Sequence, residues 1–220
     1  MQGIRIHQTA IVEGNVRIGR GTSIWDNVHI RSGAVIGEDC IIGEKTYIAG
    51  DTRIGDRCKV NAYVYIPSGV TIEDGAMVAA HTVFTNDQYP RACTPDLTRL
   101  RPSVVDEHTR HTVVRMGATI GAHCTIGNDL VIGRFAMVGM GSVVTGSVKD
   151  FHLVVGSPAR PVGAVCRCGQ PLLRFLPDIG VGGDAPLPGT GQIMCRQCGW
   201  QYRASGQTLE DMASEEALAA

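Results

Sequence analysis

The stretch VIGEDCIIGEKTYIAGDTRIGDRCKV, residues 35–60, places a branched apolar residue at every sixth position: Ile36, Ile42, Ile48, Ile54 and Val60. Extended outward, the same count runs from Ile6 to Phe84, and every residue on it before Phe84 is Ile or Val. Four positions after each stands a small or aliphatic residue, such as Thr22, Val28, Ala34, Cys40, Thr46, Thr52 or Cys58. A helix would drift out of phase with a period of six. A single alternating strand of eighty residues exceeds any reasonable strand length. Very short strands joined by turns fit instead, each turning one branched side chain inward, which is the pattern of a parallel β-helix. The abundance of glycine (28 residues) and the scarcity of aromatics (5%) agree with tight turns around a core of small aliphatic side chains.

After Phe84 the spacing stops, and it resumes in step at Val114, Ile120, Ile126, Ile132, Val138 and Val144. Residues 85–113 therefore read as an excursion loop, and a loop of that length in a regular solenoid is usually either functional or disordered. It carries Arg91, Arg99, Arg101 and Arg110, with Arg115 just beyond, and no lysine. Arginine favours bidentate recognition of phosphate or carboxylate. The opposing Asp87, Asp96, Asp106 and Glu107 also allow surface ion pairing within the loop.

Residues eighteen apart share a face of successive coils. Tyr63 and His81 are such a pair. If the excursion returns the chain to the third face of its coil at Val114, then Ile120 lies above Val78 and His123 above His81, about 5 Å apart at the backbone. Gly141 continues this column. Tyr63, His81 and His123 are thus expected to line a groove covered by the loop. Cys40, Cys58 and Cys124 read as small buried residues.

Beyond residue 163 the character changes. CRCG at 166–169 and CRQCG at 195–199 flank a Pro/Gly-rich stretch. Cys166, Cys168, Cys195 and Cys198 suit a four-thiolate site for structural zinc, or iron in a rubredoxin-like setting, with disulfides as the alternative. A unit this small needs such a staple. The domain reading is 1–163 β-helix, 164–203 metal-binding ribbon and 204–220 short helix or disordered tail. No apolar run of membrane-spanning length is present. The start lacks a secretory signal, so the eight cysteines read as reduced and the location as cytoplasmic. A net charge of −1 argues against non-specific nucleic-acid binding.

Over residues 4–163 the chain resembles the hexapeptide-repeat acyltransferase superfamily, which implies an all-β, left-handed parallel β-helix. VFTNDQYPRA (83–92), VRMGATIGAHCTIG (114–127) and VVGSPARPVG (154–163) resemble bacterial N-acetyltransferases that acylate the 3-amino group of UDP- or dTDP-linked sugars. That resemblance implies an acetyl-coenzyme A-dependent reaction in cell-surface glycan precursor synthesis and a homotrimer. It implies that Asn86 approaches the reacting amine, with Asp87 and Arg91 the next matches on the substrate side. Tyr63 of the aligned column is read as a substrate contact, and His81 or His123 as candidates to take the amine proton, with the departing coenzyme A thiolate as the alternative acceptor. The resemblance also implies coenzyme A along the last coils, near Gly139, Gly141, Gly156, Pro158, Ala159 and Arg160. Where the family has Gln-Asn-Asn, this chain reads Asn61-Ala62-Tyr63, which leaves the sugar open. Two competing readings are a γ-carbonic-anhydrase-like metalloprotein, for which His108 and His111 are misspaced, and a non-catalytic scaffold with an interaction ribbon.

Overall fold

The computed structural model describes residues 3–102, 104–175 and 190–212. Its hexads form a triangular parallel β-solenoid of eight coils. The first face stacks two-residue strands from Arg5–Ile6 to Met77–Val78, then Thr119–Ile120, Met137–Val138 and the longer His152–Gly156. The second runs from Ile11–Val12 through Val83–Phe84 to Val143–Val144, and the third from Arg17–Ile18 to Val131–Ile132. The strands are short because only the hexad residue and the one before it lie on a face before the chain must turn.

Successive coils pair residues eighteen apart, as in Lys59↔Met77 and Val60↔Val78. Across the excursion the partners are forty-two apart, Met77↔Thr119 and Val78↔Ile120. The excursion thus inserts twenty-four residues, a whole number of hexads, and the column of core side chains passes it without a phase error. The chain returns on the third face, where Thr112–Val114 pairs with Val70–Ile72, as the spacing predicts.

The inward residues from Ile24 to Val154 form one continuous cluster, most of it fully buried. Each such Ile or Val contributes about 1.5–3 kcal/mol relative to exposure. The small position has a second use. Thr22, Thr46 and Thr82 hydroxyls donate to Gly37, Asn61 and Gly121 carbonyls at 2.7, 2.9 and 3.1 Å. The thiols of Cys40, Cys58 and Cys124 do the same toward Gly55, Glu73 and Gly139 at 3.0, 3.1 and 3.2 Å. The three cysteines are buried as expected, and they also close a donor ladder that joins one coil to the next.

The solenoid does not stop abruptly. His152–Gly156 is followed by antiparallel Ala159–Val165 and Pro171–Arg174, which extend the first face. A separate three-stranded antiparallel sheet comprises Thr190–Met194, Gln201–Ser205 and Thr208–Met212. The short helix or disordered tail expected over 204–220 is therefore corrected for 204–212, where residues 204–205 end one strand, 206–207 turn, and 208–212 form the next. Leu209 drives this, buried beside Tyr202 in the terminal core. Residues 213–220 lie outside the described residues, as does the Pro/Gly-rich stretch at 176–189. No helix among the described residues is long and apolar enough to cross a membrane.

Candidate active site

The turns between the first and second faces form a ladder in which Asn27, Lys45, Tyr63, His81, His123 and Gly141 all have φ between 53° and 71°. A side chain in this left-handed region costs on the order of 1 kcal/mol, and the surrounding ladder holds it. The amides of Tyr63, His81, His123 and Gly141 donate to Glu44, Ala62, Ala80 and Ala122 carbonyls of the preceding coils at 2.8–3.0 Å. Identical backbone geometry points the side chains the same way. The Tyr63 and His81 rings stack at 4.8 Å and 6°, those of His81 and His123 at 4.7 Å and 2°. Lys45 Nζ lies 5.1 Å from the Tyr63 ring centroid. The column inferred from the spacing is present, with Gly141 leaving open space beyond it.

The excursion leaves at the other edge of the second face. It folds back on itself as an arm, with bridges Asp87↔Thr109 and Cys93↔Leu100. Arg110 N donates to Asn86 O at 2.7 Å, and the Arg110 guanidinium grips the Gln88 side-chain oxygen. Asn128 Nδ2 ties the arm to the next coil through Asp87 O at 2.9 Å. Between arm and solenoid wall lies a cavity of about 490 Å³, whose lining includes Tyr47, Tyr65, Asn86, Asp87, Arg91 and Arg101. Asn86 is half-buried, and its Nδ2 donates to Ser68 O at 3.1 Å. That bond orients the amide and leaves Oδ1 as an acceptor. Asp87 accepts the Tyr89 amide at 3.0 Å, and Arg91 is exposed.

Asn86, Asp87 and Arg91 thus share one cavity. Tyr63, His81 and His123 do not line it. Their expected place under the loop is corrected: His81 sits in the turn before Val83–Phe84 and Asn86 just after that strand, on the order of 15 Å along the face. The arm leaves from the second corner of the prism, whereas the column occupies the first.

Tyr47 and Tyr65 were not singled out by the sequence reading, although their spacing of eighteen in the outward position made them legible. Their rings stack at 5.3 Å and 9°, and His29 meets Tyr47 edge-on at 5.5 Å. Glu13 clamps this strip, 2.9 Å from His29 Nε2 and 2.7 Å from Arg31 Nε. The Ser32 amide and His29 hold its carboxyl down to about 2.

At the far end, Gly139 and Gly141 play unequal parts. A side chain at Gly139 would collide with Val155, and the Gly139 amide is already bonded to Val154 O at 2.8 Å. The Gly141 amide is likewise committed. Neither can donate to a ligand, so Gly141 offers space only. Gly156, Pro158 and Arg160 are exposed in the hairpin that ends the solenoid, with Ala159 half-buried.

The four thiols of Cys166, Cys168, Cys195 and Cys198 lie within 4.8 Å of one another. Cys166–Cys198 and Cys168–Cys195 are 3.4 and 3.7 Å apart. Four sulfurs about 2.3 Å from a tetrahedral zinc would sit roughly 3.8 Å from each other, so the donor set fits that ion. Both knuckles turn on glycine: Gly169 and Gly199 adopt φ of 88° and 76° and donate to Cys166 and Cys195 carbonyls at 2.8 Å. The one-residue spacing of the first pair is no obstacle. The Tyr202 hydroxyl, which accepts the Arg167 amide at 2.9 Å, lies 3.0 Å from Cys166 Sγ. Arg167 stacks on Trp200 and Phe135, its Cζ 4.0 and 4.7 Å from the ring centroids.

The bacterial transferase hexapeptide family (six repeats) matches residues 15–50 and 51–86, and the hexapeptide repeat of succinyl-transferase matches 33–68. A dTDP-3-amino-3,6-dideoxy-alpha-D-galactopyranose 3-N-acetyltransferase of Aneurinibacillus thermoaerophilus is 40% identical over 92 residues, 42% of this chain and 40% of that protein. An acyl-[acyl-carrier-protein]–UDP-N-acetylglucosamine O-acyltransferase of Brucella ovis is 51% identical over 35 residues, 16% of this chain and 13% of that one. The chain thus spans well under half the length of the curated relatives it matches. Among solved structures, an N-acyltransferase from Bacillus cereus in complex with dTDP and 3-hydroxybutyryl-CoA is similar over 75% of this chain and 81% of its own, at 22% identity and a TM-score of 0.52, a likeness of fold. Residues 15–86 carry the hexapeptide repeat of bacterial transferases, and it is this repeat that builds the solenoid.

Proposed function

We propose that this chain is an acetyl-coenzyme A-dependent N-acetyltransferase acting on the amino group of a nucleotide-linked amino sugar, in the synthesis of cell-surface glycan precursors. The observation that carries the reading is the arm cavity: Asn86 is oriented by Ser68, beside Asp87 and Arg91, within the size range of ligand pockets. Similarity to a dTDP-amino-sugar 3-N-acetyltransferase supports the same chemistry.

Acyl transfer requires a neutral amine held against the thioester carbonyl. Asn86 Oδ1 accepts one amine N–H and so directs the lone pair outward. The amine nitrogen bonds to the carbonyl carbon, the carbon–sulfur bond breaks, and the coenzyme A thiolate departs. The amine proton passes to His81 or His123, or to that thiolate. Arg91 faces the nucleotide phosphates.

The distance between Asn86 and the histidine column favours a homotrimer. If both act on one amine, the arm of one subunit meets the column of its neighbour. Zinc in the four-thiolate site would staple the terminal unit. Reduced thiols throughout, with acyl-coenzyme A and sugar nucleotides as substrates, favour a cytoplasmic location. The test is a panel of 3-amino and 4-amino UDP- and dTDP-sugars incubated with acetyl-coenzyme A, read by thiol release. Turnover of one sugar class is expected; no thiol release with any would end the reading.

A further inference from the structure

The terminal four-cysteine unit is more than an appendage to the solenoid. Phe135 and Phe151 of the last coils pack with Tyr202 and Leu209 in one buried cluster, and the Phe151 and Tyr202 rings meet edge to face at 5.3 Å. Arg134 holds Asp150 at 2.8 Å and Asp211 at 3.6 Å, joining coil and ribbon. His152, only 2% exposed, donates from Nε2 to Gln207 O at 2.7 Å.

Gln207 is the tip of the hairpin joining Gln201–Ser205 to Thr208–Met212, and it closes one side of a second cavity of about 350 Å³. The rest of that wall comes from the solenoid's last turn and exit hairpin, including Lys149, His152, Arg160 and Pro161. Two cations and no carboxylate line the cavity among the described residues. Its chemistry suits a phosphate carried on a flat, partly apolar body. The thiolate cluster sets the position of the tip: Tyr202, on the strand leading to Gln207, touches Cys166 Sγ at 3.0 Å.

We propose that the metal-binding ribbon forms a wall of the acyl-donor site, with Gln207, Lys149 and Arg160 receiving the 3′-phosphoadenosine end of coenzyme A, so that metal occupancy sets donor affinity while leaving the nucleotide-sugar side untouched. The inference rests on the acyltransferase reading above. It deepens that reading by making the thiolate unit part of the donor site.

Isothermal titration of coenzyme A, dephospho-coenzyme A and dTDP or UDP into zinc-loaded and zinc-stripped protein tests it. Stripping is expected to weaken coenzyme A binding roughly tenfold, reversibly on zinc return, with nucleotide binding unchanged. Loss of the 3′-phosphate should cost about as much in the zinc-loaded protein. Gln207→Glu keeps the four thiols and places a carboxylate beside the two cations. It should weaken coenzyme A at least threefold with zinc content intact. Equal coenzyme A affinity with and without zinc, or in Gln207→Glu, would overturn the inference and leave the acyltransferase reading standing. So would nucleotide binding that falls in parallel with coenzyme A binding. Zinc-loaded protein that binds neither coenzyme A nor nucleotide would remove both.

Discussion

The imidazoles of His81 and His123 lie face to face, their centroids 4.7 Å apart and 2° from parallel, although forty-two residues separate them along the chain. The excursion between them spans four hexads more than a plain coil. Its length preserves the stacking while projecting an arm from the opposite corner of the same face.

Asn86→Ala removes the acceptor proposed to orient the amine and leaves the solenoid core untouched. Turnover is expected to fall about 100-fold, with an unchanged elution volume on gel filtration. Steady-state thiol release provides the measure, and unaltered kcat would take Asn86 out of the site.

Separation of Asn86 from the histidine column yields a sharper expectation. If His123 takes the proton and the proposed trimer joins the two residues across subunits, Asn86→Ala and His123→Ala subunits, each impaired alone, should recover part of the activity when unfolded and reassembled together, because each mixed trimer would then contain one intact cleft. Recovery that never exceeds the sum of the separate variants would show that the two residues do not act across subunits.

Phe84 fills the core where the chain leaves for the arm, and it is 1% exposed. Phe84→Ala should cost about 3–5 kcal/mol. Chemical denaturation would register this as a lower midpoint. Loss of arm order, seen as faster proteolysis near residue 91, should accompany it.

Protein purified under reducing conditions should carry one zinc per chain by elemental analysis. Cys195→Ser is expected to lose it, and Tyr202→Phe to retain it with affinity reduced about tenfold. Circular dichroism of the solenoid should survive both changes, since the two cores are separate clusters.

Burial holds His152 below the ordinary histidine range, opposed by Gln207 O; Lys149 lowers it further and Asp150 raises it. The unfolded chain therefore takes up this proton at higher pH than the folded one. The contribution of neutral His152 to stability is complete at neutral pH and declines as pH drops through about 6.5. Wild type should lose more stability than His152→Gln between about pH 7.5 and 5.5, as followed by thermal melts.

The period of six determined the solenoid, the eighteen-residue stacking, the inward residues and the aligned Tyr63–His81–His123 column. It could do so because each coil repeats the same backbone geometry, so a position in the count is a position in space. The four cysteines were legible for a similar reason: paired thiols beside glycine make a local knuckle. What the count could not convey is where nonrepeating chain goes. Only the tertiary structure put Asn86 and the histidines at opposite corners, turned 208–212 into a strand through burial of Leu209, and brought Gln207 to His152. Those contacts join segments unrelated by any period, and they depend on which surfaces remain to be covered once the prism has formed.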